Sequence, residues 1–232
     1  MQRLLSALAL SFAVSTLILF SAGTVVAADA DSGAEQLRQF VRNSKTAEGD
    51  FVQQQLRPPK VNEPQDKGLK VVRQTQGHFA FQRPGRFVWD TQKPFEQKLI
   101  ADGKQLILWD KDLNQATFRA AGQALASTPA AILFGESSLD QHFDLVDGEE
   151  RLGMRWVALV PKKNPNVKNG NDLPYTKISI GMANSLPKAL ELIDGLGSVV
   201  LVTLDKIQLN VNLPANRFIF TPPAGAEVLR LN

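Results

Sequence analysis

In the stretch Gly77-His78-Phe79-Ala80-Phe81-Gln82-Arg83-Pro84-Gly85-Arg86-Phe87-Val88-Trp89, Phe79 and Phe81 stand at alternate positions, and Phe87 and Trp89 repeat that spacing after Pro84-Gly85. A period of two puts each aromatic pair on one face of a strand. Arg-Pro-Gly between the pairs is turn chemistry, so the stretch predicts an antiparallel hairpin with one aromatic face.

The same rhythm continues outward. Downstream, strands are predicted over 97–101, 104–109 and 115–120, with Asp102-Gly103 as a hairpin turn. Further strands are expected over 141–146, 154–160, 176–182, 186–193, 199–209 and 217–220, with turns at Asp147-Gly148 and Asp194-Gly195. Residues 161–174 read as a polar loop, and Pro222-Pro223 ends the last strand. Upstream, Phe51 anchors a strand that alternates through Gln53 and Gln55, and the Pro-rich stretch 56–70 reads as a loop. Leu37, Phe40 and Val41 are spaced as the apolar face of a short helix over 34–45, capped by Asp31 or Ser32. A second helix is expected to start near Pro129 with Thr128 as its cap, its apolar face made by residues such as Ile132 and Leu133.

Short connections require antiparallel neighbours, and a sheet of about ten or eleven strands must curl. A curled sheet of this size has an interior wider than its own side chains fill. The expected architecture is therefore α+β: an unclosed antiparallel β half-barrel with a helical lid over an apolar cavity.

The first residues are set aside as a leader. Arg3 is followed by an apolar run from Leu4 to Phe20, then by the small residues Val26-Ala27-Ala28 before Asp29. This is the pattern of a cleaved signal peptide, so residues 1–28 are expected to be removed and 29–232 to form one domain. The 232 residues include no cysteine, which excludes thiolate metal sites, thiol nucleophiles and a lipid anchor on cysteine. The net charge of +3 is mild and dispersed, unlike a nucleic-acid-binding surface.

Catalytic chemistry has little to work with. His78 and His142, the only histidines, both lie in strand patterns. No serine sits in a Gly-x-Ser-x-Gly elbow, and no Gly-rich phosphate loop is present. Asp102, Asp110 and Asp112 are explained by hairpin turns. The expectation is a protein that is not an enzyme and holds no metal or cofactor.

The segment 77–89 resembles the hallmark segment of the LolA family of periplasmic outer-membrane lipoprotein carriers. Phe51-Val52-Gln53 precedes it in the family order; Asp102-Gly103 with Leu106 and Trp109, Gln115-Ala116, Thr128-Pro129 with Ile132-Leu133, Leu159-Val160-Pro161-Lys162, Asp194-Gly195-Leu196-Gly197 and the stretch from Phe218 to Gly225 follow it. The resemblance implies a carrier that accepts lipoproteins from an ATP-driven inner-membrane release complex and passes them to an outer-membrane receptor, in the periplasm and as a monomer. It implies that Arg83 bonds lid backbone carbonyls and holds the empty cavity shut. Phe51, Phe79, Phe81, Phe87, Trp89, Trp109, Trp156 and Ile180 are the cavity candidates, and Leu37, Ile132 and Leu133 the lid underside. The competing readings are a carrier of another acylated lipid or glycolipid, a lipid-sensing envelope-stress regulator, which needs a second domain, and an enzyme acting on lipids.

Overall fold

The computed structural model describes residues 32–63, 68–120, 133–134, 139–162 and 174–231. The leader, the expected start of the second helix at Thr128-Pro129, and Ile132 lie outside these residues.

A helix, α1 (Gly33–Asn43), opens the described fold. The Ser32 hydroxyl accepts a hydrogen bond from the Glu35 amide at 3.2 Å, satisfying one of the donors that a helix start leaves unpaired. The twelve strands are β1 (Thr46–Arg57), β2 (Lys70–Gln82), β3 (Arg86–Lys93), β4 (Gln97–Asp102), β5 (Gln105–Asp110), β6 (Gln115–Ala120), β7 (Phe143–Arg151), β8 (Met154–Pro161), β9 (Tyr175–Ala183), β10 (Leu186–Asp194), β11 (Val199–Leu209) and β12 (Glu227–Leu231). They form one sheet in the order β12-β6-β5-β4-β3-β2-β1-β11-β10-β9-β8-β7. All pairings are antiparallel except β12 against β6. The one long-range pairing that makes two hairpin runs into a single sheet is β1 with β11. β7 and β12 remain edges, so the barrel is unclosed; Asp144, Asp147, Glu149 and Glu150 line β7, and charge on an edge discourages pairing with another chain.

Three expectations need correction. Asp147-Gly148 is not a turn but lies within β7, where the register shifts between Asp147 and Glu150. The turn falls at Leu152-Gly153, whose φ angles of 56° and 68° suit a tight hairpin. Asp-Gly serves a bulge as readily as a turn, and here the bulge has a purpose: Asp147 Oδ1 accepts from the Ala34 amide at 2.8 Å, placing a carboxylate at the positive end of α1.

The segment expected as a strand over 217–220 contains instead the end of a 3₁₀ turn, Ala215–Phe218. Prolines at 214, 222 and 223 remove ladder donors around it, and Phe218 is buried against the outer face of β3 and β4. The chain then crosses to β6 and adds β12, beyond the prolines that were expected to end the last strand. The described residues thus form twelve strands, and the parallel pair arises because this segment is a crossover, not a hairpin.

Two apolar layers result. The inner layer joins the concave face of the sheet to α1 and the helical pair Leu133-Phe134. The outer layer is smaller: Val88, Ile100, Ile107 and Phe218, with Phe118, Leu213 and Phe220 beside them.

One glycine carries the hairpin's geometry. A Cβ on Gly77 would stand 1.9 Å from the Asp90 carbonyl oxygen, at a register shift between Gln76 and Gly77. Gly77→Ala is therefore expected to destabilise by about 2–3 kcal/mol, the upper part of the range for overpacking. Thermal unfolding checks this: the midpoint should fall by roughly 5–10 °C, and an unchanged midpoint would mean the β2–β3 backbone shifts without cost.

Candidate functional site

The site is built by register. Phe79 lies opposite Trp89 and Phe81 opposite Phe87, so four aromatic side chains project from neighbouring strands onto the concave face. Phe51 joins them from β1, and its ring stacks on Trp89 with centroids 3.8 Å apart. Gly49 faces Phe79 across the β1–β2 ladder; a Cβ there would meet the Phe79 ring at 2.9 Å, so the missing side chain leaves room for that ring. On the other wing, Val157, Ile180, Leu190 and Val202 follow one another across β8, β9, β10 and β11. All four are fully buried.

Each wing has its own cover. α1 packs on β7, β8, β9 and β10, with Leu37 buried beneath it and Phe40 edge-on to Phe81 at 6.1 Å. Leu133 and Phe134 cover the aromatic wing. The Phe134 ring lies 4.8 Å from both Phe79 and Phe81, nearly parallel to each, and 6.3 Å from Trp89. Phe134 is 1% exposed and occupies the middle of the aromatic surface.

Arg83 ties this cover down. Its position follows from the turn after β2, which carries it past the end of the aromatic ladder. One guanidinium nitrogen donates to the Leu133 carbonyl at 3.1 Å and another to the Phe134 carbonyl at 3.4 Å. The guanidinium lies 4.8 Å from the Phe81 ring centroid, within reach of a cation–π attraction. A planar fork with several donors suits two adjacent carbonyls; a lysine ammonium is a single point.

The structure therefore brings together Phe51, Phe79, Phe81, Phe87, Trp89, Ile180, Leu37 and Leu133 in one apolar layer. It removes two candidates from it. Trp109 shares its face of β5 with Ile107 of the outer layer and packs on Phe220 at 5.5 Å. Trp156 points opposite to Val157 and Leu159; its indole donates to the Arg151 carbonyl at 3.2 Å, and the Arg151 guanidinium stacks 3.8 Å above its ring. Both are large and buried, but with both faces of the sheet apolar, burial alone does not name the face. Sequence reasoning misses Phe134 as a site residue, although its cluster with Leu125, Ile132 and Leu133 is visible in the sequence; which member fills the hollow depends on the lid's position.

His78 pairs with Asp50, which Lys206 also holds at 2.8 Å; these hydrogen bonds, Lys206 first, keep the Asp50 carboxyl below its usual range. This is an exposed outer-face ion cluster away from the aromatic layer. Among the described residues no three His, Asp or Glu side chains converge as metal ligands, and no helix is long and apolar enough to cross a membrane.

The described fold is an unclosed antiparallel half-barrel whose apolar concave face is covered by α1 and by Leu133-Phe134. A solved structure of an uncharacterised conserved protein from Thermus thermophilus has this fold: it superposes with a TM-score of 0.52 at 14% identity, over 85% of this chain and 99% of that one. The family model described as outer membrane lipoprotein carrier protein LolA matches residues 42–221, and the chain belongs to that family. The outer-membrane lipoprotein carrier protein of Ralstonia nicotianae is 42% identical over 217 residues, 91% of this chain and 96% of its own length. That of Cupriavidus pinatubonensis is 41% identical over 199 residues, 86% and 88% of the two chains.

Proposed function

We propose that this protein is an exported carrier that seats lipoprotein acyl chains on its aromatic concave face while they cross the periplasm. The single observation that carries this reading is Phe134: a lid ring, held by the Arg83 bonds to its own and the preceding carbonyl, fills the hollow that an acyl chain would take.

The energetics make a carrier necessary. Each buried methylene is worth about 0.8 kcal/mol, so a chain of 16 carbons resists transfer to water by roughly 12 kcal/mol. Cargo entering the hollow displaces Phe134 and recovers its contacts; the lid's return helps expel the cargo. The container thus has two nearly balanced states, and binding shifts their populations. The residues 1–28 serve as the export signal, and the remainder works as a monomeric shuttle between an inner-membrane release complex and an outer-membrane receptor. No bond is made or broken in the cargo.

The test is binding of a synthetic triacylated lipopeptide against the same peptide without acyl chains, read by quenching of tryptophan fluorescence and by native mass spectrometry. Binding of the acylated form alone is expected. Equal binding of both, or of neither, overturns the reading. Phospholipid or glycolipid bound in preference to lipopeptide would make the protein a carrier of those lipids instead.

A further inference from the structure

The two rims of the half-barrel differ at their turns. Register places the β2–β3, β4–β5, β7–β8 and β9–β10 turns on one rim and the β1–β2, β3–β4, β5–β6 and β10–β11 connections on the other. On the second rim each of these four connections carries a large apolar side chain at its tip: Val61 is 102% exposed, Phe95 56%, Leu113 67% and Leu196 86%. On the first rim, among the described residues, only the Leu152 tip does so. Single exposed leucines are ordinary, but this grouping on one rim is not a scatter. The tips are held in place by their own turns. Asp110 accepts from the Leu113 amide at 3.0 Å and Asp194 from the Leu196 amide at 2.8 Å, so each leucine stands on a turn closed by a carboxylate. Glu63 accepts from the Lys60 amide at 2.8 Å and pairs with the Arg57 guanidinium, which fixes the bend at Val61. The Lys111 ammonium donates to Glu96 at 2.8 Å and ties the Phe95 turn to the Leu113 turn. These bonds draw the carboxylates back toward the sheet, while Lys60 and Lys93 stand exposed beside Val61 and Phe95. Asp112, exposed beside Leu113, is the exception.

We propose that this rim rests on the surface of a lipid bilayer, with Val61, Phe95, Leu113 and Leu196 entering the headgroup layer and Lys60 and Lys93 meeting lipid phosphates. Two observations select a bilayer over a protein partner. The first is spacing. Neighbouring tips are two strand intervals apart, about 10 Å, and the row from Leu113 to Leu196 crosses six intervals, roughly 29 Å at the usual strand separation. A protein partner needs four separate pockets at that spacing; a bilayer takes each side chain independently. The second is charge. A lysine next to an apolar tip lays its stem along the interface and carries its ammonium to phosphate, while the carboxylates of this rim are mostly engaged within their own turns. Shallow entry of a few side chains gives a reversible, peripheral contact. The contact belongs to the empty protein and does not rest on the cargo reading.

The experiment sediments the purified protein, without lipopeptide, with vesicles of phosphatidylethanolamine and phosphatidylglycerol. It compares the native chain with Phe95→Ser, Leu196→Ser, the double variant, and Leu152→Ser on the opposite rim. The partition coefficient is expected to fall roughly threefold or more in each single tip variant and roughly tenfold or more in the double. Leu152→Ser should change it by less than about twofold, and all variants should bind triacylated lipopeptide as the native chain does. Phe95→Trp supplies a second readout: its added emission should shift to the blue on vesicles and be quenched by brominated acyl chains. Native protein that does not partition, tip variants that partition normally, an equal loss in Leu152→Ser, or an unshifted Phe95→Trp emission overturns the proposal. Tip variants that bind vesicles normally but fail to hand lipopeptide to a receptor would make the rim a protein-docking surface and overturn it likewise. Native protein that partitions but binds no lipopeptide supports this rim and overturns the carrier reading alone.

Discussion

Arg83→Leu protein isolated from the periplasm should carry several times more lipoprotein than the native chain, and should surrender it poorly. The substitution removes two hydrogen bonds from a charged donor to the Leu133 and Phe134 carbonyls and a cation over Phe81. Hydrogen bonds of this kind contribute about 1.5–3 kcal/mol each when sheltered, and less where water replaces them. Taking about 2–3 kcal/mol in all, the balance between closed and open lid shifts by roughly 30- to 150-fold. Because only the open form accepts cargo, apparent affinity rises; because the lid no longer returns, release to a receptor slows. Native mass spectrometry of the isolated protein, with a release assay onto receptor-bearing vesicles, reads both effects. Arg83→Lys separates geometry from charge: if the fork matters, lysine should fall between native and leucine. Leucine protein with unchanged occupancy and release would remove Arg83 from the mechanism.

Phe134→Ala should separate stability from binding. The ring is buried among Phe79, Phe81 and Trp89, and Phe-to-Ala losses at such positions are about 3–5 kcal/mol. The empty protein should therefore melt roughly 6–20 °C lower, by the usual scaling for chains of this size. Affinity for acylated peptide should rise, because the ligand no longer has to displace a ring and the cavity left is apolar. Calorimetry with and without triacylated peptide reads both: the stabilisation by ligand should be larger in the variant. If affinity falls together with stability, Phe134 is ordinary core and not a plug, and cargo binds elsewhere on the concave face.

The strands and their local order were legible because they depend on neighbours in the chain. The aromatic alternation at Phe79, Phe81, Phe87 and Trp89, the turn at Asp102-Gly103 and the helix start at Asp31 or Ser32 all depend on a few adjacent residues, and the structure selects Ser32 as the cap. Arg83 donates to the Leu133 and Phe134 carbonyls, about fifty residues away, a pairing that no local spacing encodes. The face on which a lone large residue lies was not legible. Trp109 and Trp156 alternate correctly along their strands, but this sheet has apolar layers on both sides, and period two fixes parity without saying which parity is inside. Only the packing of Phe220 and Arg151 against those rings settles it. The same holds for β12: five residues after two prolines carry no signal of a partner, and the strand exists because the crossover brings them beside β6.

The amino-acid order alone determined an antiparallel, twisted sheet with an aromatic inner face, a leader-like start and no thiol chemistry, since each depends on residue type and short-range spacing. Tertiary structure decided which aromatics share the concave face, that Phe134 packs between Phe79 and Phe81, and that β12 pairs with β6. These are contacts between residues tens of positions apart, and no local periodicity encodes the pairing of β1 with β11 or the path that lays Phe134 between Phe79 and Phe81.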